Sequence, residues 1–322
     1  MKAIIYTKYG GPDNLRLKEI EKPTPGDKEV LIKVYAVSIN DWDWGLLHGD
    51  PINRMMYGLR KPKRQILGSD IAGRIEAVGK NVKKFKEGDD VFGDLSGKWG
   101  GFAEYVCANE NALALKSPAM SFEQAAAIPQ AAMLAVQGLM DKAKIKQGQK
   151  ILLNGAGGGV GTFAIQIAKQ YGAEITAVDS EQKLDMLRLL GADHVIDYRK
   201  EDFTKNGKQY DIILDVKTNR SLFDIARALK PGGIYATVGG SMGKLLQALF
   251  VAPWINMTRK KKIAIVVLKP NKDLVYMNEL FESGKVRPVI DGHYILDDAP
   301  EAMKFYGSAA HKGKVVISVV HS

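Results

Sequence analysis

The residues best placed to do chemistry form one glycine-rich run, Asn154-Gly155-Ala156-Gly157-Gly158-Gly159-Val160-Gly161. The run follows the apolar stretch 150–154 and opens into the helical pattern 162–169, so it joins a predicted strand to a predicted helix. Read as A-x-G-x-x-G on Ala156, Gly158 and Gly161, the spacing gives a tight turn, bare backbone where an anion can approach, and close packing of helix on sheet. Amide N–H groups along Gly157, Gly158, Gly159 and Val160, with the positive end of the helix dipole, then face a pyrophosphate. Such sites carry an acidic residue about twenty positions further on, which holds the adenosine ribose hydroxyls. Asp179 stands there, after Ile175-Thr176-Ala177-Val178.

Asp179 favours NAD(H), because a carboxylate repels an added 2′-phosphate. Ser180, Lys183 and Tyr198 point the other way, since hydroxyls and an ammonium there donate to or neutralise the phosphate of NADP(H). Both cofactors stay open, and Lys183 reads equally well as one exposed helix lysine among many.

A turn of this kind needs a parallel sheet to carry it. From Ser121 the hydrophobic period moves from two to about 3.6. An apolar helical stretch at 122–140 precedes strands at 150–154, 174–178, 194–196, 210–216, 234–238 and 263–268, with crossovers of fitting length. Residues before 121 read instead as short strands, at 3–6, 29–37 and 71–79, separated by Gly10-Gly11-Pro12, Pro23-Thr24-Pro25-Gly26 and Gly88-Asp89-Asp90. The tail returns to short strands at 292–296 and 313–320. The fold class is therefore α/β: a doubly wound parallel Rossmann sheet at 123–283, inserted in a partly closed β-barrel domain made of 1–122 and 284–322.

Composition narrows the setting. With 322 residues, 46% hydrophobic and 25% charged, the chain suits a two-domain globular protein and excludes a disulfide scaffold or a disordered tract. The net charge of +10 fits nucleic acid, an acidic membrane surface or an anionic ligand such as a dinucleotide, and does not choose among them. Its one basic run, Arg259 to Lys262, lacks the interleaved aromatics of single-strand binders, so no nucleic acid is expected. No apolar stretch reaches bilayer length, and the opening residues do not form a signal peptide, so no stable membrane insertion is expected. The lone Cys107 reads as a small filler beside a strand and suits a reducing, cytoplasmic setting. The apolar segment 244–257 reads as a cap on the substrate cleft, a buried helix, a subunit contact or a shallow membrane contact.

Further landmarks appear in a fixed order: Met1-Lys2-Ala3, Pro25-Gly26, Val37-Ser38-Ile39-Asn40, Leu67-Gly68-Ser69-Asp70-Ile71-Ala72-Gly73, Gly88 to Gly93, the glycine turn, Leu190 to Tyr198, and Gly313-Lys314-Val315-Val316. With them the sequence resembles, over nearly its whole length, the zinc-independent quinone oxidoreductase-like branch of the medium-chain dehydrogenase/reductase superfamily. The resemblance implies a GroES-like β domain and a nicotinamide near Asn40, Asp43 and the loop Val238-Gly239-Gly240-Ser241. The positions that match catalytic zinc ligands are Asn40, Ser69 and Gln130, with Asp70 alongside; none is the cysteine or histidine that favours zinc, so no zinc is expected.

Without a Lewis acid, hydride goes most easily to an acceptor that delocalises the new charge, and the implied reaction is reduction of quinones or α,β-unsaturated carbonyls. His48 reads as a proton donor or as a supporting histidine, and Trp42 and Trp44 as packing or as pocket lining. Two alternatives stay open: a metal-free alcohol or aldehyde dehydrogenase of the same fold, and a non-catalytic NAD(P)H-binding redox sensor. The resemblance also implies a homodimer paired through the strand at 263–268.

Overall fold

The strand-rich and helix-alternating parts of the sequence separate into two compact units in the structure, a computed structural model that describes residues 1–239 and 260–321. One unit takes 1–130, 270–282 and 288–322, and the other 131–269 and 283–287. These units divide after 130, 269, 282 and 287, whereas the periodicity suggests boundaries after 122 and 283.

In the first unit β1 (Lys2–Ile5) pairs antiparallel with β2 (Arg16–Glu19). The long β3 (Glu29–Ser38) is followed by two short helices, α1 (Asp41–His48) and α2 (Pro51–Tyr57). Next come β4 (Asp70–Val78), β5 (Asp90–Asp94), β6 (Tyr105–Asn109) and β7 (Ala114–Leu115). Register shifts at Leu31/Ile32 and Val34/Ala36 bend β3 against β4, as bulges do when a sheet curls towards a barrel. The predicted helix 122–140 is broken. α3 (Phe122–Ala126) stops short of Pro129, whose ring forbids continuation and restricts Ile128. Tyr35 stacks on Phe122 at 4.5 Å and the Ser38 hydroxyl donates to the Ala126 carbonyl at 2.8 Å, so α3 belongs with β3.

The second unit takes over within α4 (Pro129–Val136), which runs on as a π-turn over Gln137–Lys142. There follow β8 (Lys150–Asn154), α5 (Gly159–Lys169), β9 (Glu174–Asp179), α6 (Leu184–Leu189), β10 (His194–Asp197), β11 (Tyr210–Asp215), α7 (Leu222–Ala228), β12 (Leu229–Thr237) and β13 (Lys262–Ile265). All six strands are parallel, in the order β10-β9-β8-β11-β12-β13. The direction of winding reverses between β8 and β11, which puts the carboxyl ends of those strands at the topological switch point.

The chain then returns to the first unit with α8 (Leu274–Glu282), β14 (Tyr294–Ile295), α9 (Ala299–Gly307) and β15 (Val316–Ser318). β15 pairs with the end of β3, giving the order β14-β15-β3-β4-β5-β7, with β6 on the first half of β3. Asn271 fixes the return: its amide accepts from the Asp94 N–H at 2.7 Å and donates to the Asp94 carbonyl at 2.9 Å.

Phe163 on α5 is fully buried. Phe163→Ala is expected to destabilise the second unit by about 3–5 kcal/mol, read as a lower urea midpoint of unfolding.

Candidate functional site

The glycine turn is built by contacts that exclude side chains. Gly155 takes φ +82, and the N–H groups of Gly155 and Ala156 both donate to the Val178 carbonyl, at 3.0 and 3.1 Å, which pins the turn to β9. A Cβ on Gly161 falls 2.4 Å from the Ala156 backbone, and one on Gly157 falls 2.5 Å from Lys183 and 3.0 Å from Asp179. A Cβ on Gly158 meets only the Gly155 carbonyl, at 3.9 Å. Gly158, Gly159 and Val160 are half-buried, so the amides that start α5 border open space. This is the bare, positively polarised ground that a pyrophosphate occupies, and the residues present fit a dinucleotide.

Asp179 ends β9 as the spacing requires. One carboxylate oxygen accepts from the Gly157 N–H at 2.8 Å, and the other from the Ser180 N–H at 2.8 Å. The Lys183 ammonium lies 3.8 Å from Asp179, and both side chains are less than a tenth exposed. The exposed-lysine reading of Lys183 is thereby corrected: its stem covers Gly157 and its charge neutralises Asp179. Tyr198 is exposed, and its N–H donates to the Asp179 carbonyl at 3.2 Å.

At the switch point the Asp215 carboxylate accepts from the Asn154 amide and the Thr218 N–H, both at 2.8 Å, and from the Tyr235 hydroxyl at 3.0 Å. Gly239, at φ +80, offers its carbonyl to the hydroxyls of Thr218 and Thr237 at 3.3 and 3.2 Å. The predicted Gly240 and Ser241, Arg259, and the apolar segment 244–257, lie outside the described residues. Asp215 was not singled out by sequence; the only signal was an acidic residue closing the fourth strand.

The first unit holds a second polar cluster. Asn40 stands at the start of α1, and its amide donates to the Ser69 hydroxyl at 3.3 Å. The Gln130 amide donates to Ser69 at 2.8 Å and to Ser96 at 3.0 Å. The three positions expected from zinc relatives are thus brought together, but as neutral groups hydrogen-bonded to one another, a donor set that does not fit zinc. Among the described residues no group of three or more His, Cys, Asp or Glu is arranged to hold a metal ion.

Beneath them lies a buried cation that sequence reasoning passed over. The Lys314 ammonium donates to the Asn40 side-chain carbonyl at 2.5 Å and to the Ile39 carbonyl at 3.1 Å, and sits 3.5 Å from Asp70. Burial lowers its pKa, against the pull of Asp70 and Asp43. Burial likewise pushes Asp70 up to about 7, opposed by Lys314.

Asp43, expected beside the nicotinamide as a catalytic group, is fully buried, and its two oxygens accept the Asn40 N–H at 3.0 Å and the Gly68 N–H at 2.8 Å. It positions Asn40, and its complete burial withholds it from a substrate. Burial pushes its pKa up to about 7. His48 is not brought to the cluster either. Eight residues of helix separate it from Asn40, about 12 Å of rise, and its Nδ1 donates to the Trp44 carbonyl at 2.9 Å. Trp44 packs between His48 and Tyr306, whereas Trp42 is exposed and leans on Trp99 at 6.3 Å. Cys107 is buried on β6, its thiol pushed up to about 11 by burial, which matches a filler and not a nucleophile.

Comparison with known proteins gives two family matches: "Alcohol dehydrogenase GroES-like domain" over residues 26–119 and "Zinc-binding dehydrogenase" over residues 190–317. A 2-methylene-furan-3-one reductase of Solanum lycopersicum is 35% identical, covering 98% of this chain and 79% of that protein. The chloroplastic NADPH-dependent alkenal/one oxidoreductase of Arabidopsis thaliana is 34% identical over the same shares. Among solved structures, the quinone oxidoreductase from Coxiella burnetii superposes with a TM-score of 0.86 at 28% identity, covering 99% of each chain.

Two outcomes test this geometry. Gly158→Ala adds a methyl group to the open side of the turn, so it is expected to weaken dinucleotide binding roughly tenfold or more while leaving the thermal midpoint unchanged, as read by cofactor titration and calorimetry. Asp43 and Asp70 hold their protons to about pH 7 when folded, against 3.8 as the ordinary value. The folded state therefore binds more protons between those limits, and stability falls as pH rises through them. Thermal unfolding at about pH 5 and about pH 8 is expected to show this fall, and Asp43→Asn to flatten it.

Proposed function

Because this chain belongs to the quinone oxidoreductase-like family of medium-chain dehydrogenases/reductases, we propose that it reduces quinones or α,β-unsaturated carbonyls with a nicotinamide dinucleotide bound on its Rossmann unit. The observation that carries this reading is the turn at Gly158, whose half-buried amides border open space at the head of α5. The bound dinucleotide supplies the hydride. Gly158, Gly159 and Val160 seat its pyrophosphate, and Asp179 fixes the turn through the Gly157 N–H.

We propose NADPH as the preferred cofactor, with NADH accepted. Lys183 supports this, because its ammonium lies beside the one carboxylate that would repel a 2′-phosphate. Tyr198, exposed after β10, adds a hydroxyl that can donate to the same phosphate. Chemistry without zinc is supported by the donor set at Asn40, Ser69 and Gln130. There Lys314 and Asp43 orient Asn40 by bonding its side-chain carbonyl and its backbone N–H. Conjugated acceptors suit such a site, since they spread the incoming charge without a Lewis acid.

A cytoplasmic homodimer is part of the same proposal. Its support is the position of β13 at the edge of the parallel sheet among the described residues, where an edge strand offers a pairing surface. The single cysteine in the sequence suits a reducing compartment.

Purified protein is expected to oxidise NADPH in the presence of quinones and enones at a rate unaltered by a metal chelator. Lys183→Ala is expected to raise KM for NADPH roughly tenfold or more and to leave NADH much less affected. No turnover with any member of a quinone and enone panel overturns the reading.

A further inference from the structure

Helix α2 is packed with its apolar stripe outward. Its inner side carries the buried Asn53 and the half-buried Tyr57, whose ring meets Trp99 edge-on at 5.1 Å. Arg54 is spent locally, its guanidinium 4.6 Å from the Tyr9 ring and its Nε donating to the Gly49 carbonyl at 2.7 Å. The outer side carries Ile52, Met55 and Met56, and Leu59 follows just past the capping Gly58, with exposures of 38, 72, 54 and 72%. That i, i+3, i+4, i+7 spacing is the one by which a surface helix ordinarily faces its core.

Charge separates this face from a casual hydrophobic surface. Between Pro51 and Ser69 the sequence has no Asp or Glu, and Arg60, Lys61, Lys63 and Arg64 are all exposed beside the stripe. No ion pair among the described residues engages these four cations. Their loop is held against the helix, since the Lys63 N–H donates to the Tyr57 carbonyl at 2.8 Å and the Tyr9 hydroxyl to the Gly58 carbonyl at 2.6 Å. The nearest acidic residues in sequence are Asp50, ahead of the helix, and Asp70, which is fully buried.

We propose that this face docks on an anionic phospholipid surface. Unbranched and aliphatic side chains protruding beside a row of cations match the two layers of such a surface: the apolar groups enter the acyl boundary while lysine and arginine stay at headgroup level. Nucleic acid matches less well, because the protruding side chains offer no aromatic face for bases to stack on. The docking is peripheral, and no helix among the described residues is long and apolar enough to cross a membrane. It stands independently of the redox reading.

The test is co-sedimentation of the full chain with extruded vesicles of phosphatidylglycerol and phosphatidylcholine, beside vesicles of phosphatidylcholine alone. Binding to the anionic vesicles is expected, falling as salt rises, with roughly a fivefold loss for each of Arg60, Lys61, Lys63 and Arg64 changed to Gln. Met55→Ser with Leu59→Ser is expected to lose at least about tenfold in vesicle binding while cofactor titration and thermal midpoint stay as in the parent. The proposal fails if the parent does not sediment, if neutral vesicles bind it equally, or if the serine variant sediments like the parent. It fails also if that variant keeps vesicle binding but dissolves a dimer, loses nucleic-acid binding or raises KM for an apolar substrate, since the face is then a subunit contact, a nucleic-acid site or a pocket wall.

Discussion

Gly161 lies so close to the Ala156 backbone that only a hydrogen atom fits between them. That contact lets α5 begin directly against the sheet, and the direction of α5 decides where its first amides point. Lys183 and Asp179 then close on Gly157 from the other side, so the turn is gripped at two glycines and left bare at the third. The switch-point hydrogen bonds of Asp215 brace the neighbouring strand end. The nucleotide end is thus a rigid backbone surface, fixed by packing before any ligand arrives.

The first unit solves a different problem. It keeps an ammonium and several carboxyl groups away from water, which costs several kcal/mol per ion unless each is paired and hydrogen-bonded. Lys314 meets that condition with Asp70, Asn40 and the Ile39 carbonyl. Asp43 meets it with two amides. Positive charge therefore reaches Asn40 from a covalently attached side chain, whose backbone is set by an isolated bridge to Ile290 just ahead of β15.

The sequence was most informative where a pattern is local. The apolar run at 150–154 became β8 without a shift of boundary, and the distance from the turn to Asp179 was right because it counts one helix and one strand. Pro129 was visible as a helix breaker, yet the apolar composition on both sides of it suggested one continuous helix. Where contacts join distant segments the reading ran out. Lys183 is buried because it folds back over Gly157, and Lys314 matters because residue 40 and residue 70 are beside it, neither of which a window of sequence can show. Asp43 and His48 share one short helix with Asn40, which made all three look like candidates. Only the hydrogen bonds separate the residue that is held from the one that holds it and the one that faces away.

The position of Lys314 has a consequence for synthesis. Asn40, Asp70 and Gln130 emerge from the ribosome long before the residue that neutralises their neighbourhood, because β15 and the residues leading to it are made last in this unit. A growing chain that has already paired β3 with β4 therefore carries an Asp70 without its cation. The β unit therefore completes its sheet only when β15 docks, after every described strand of the Rossmann half has been made.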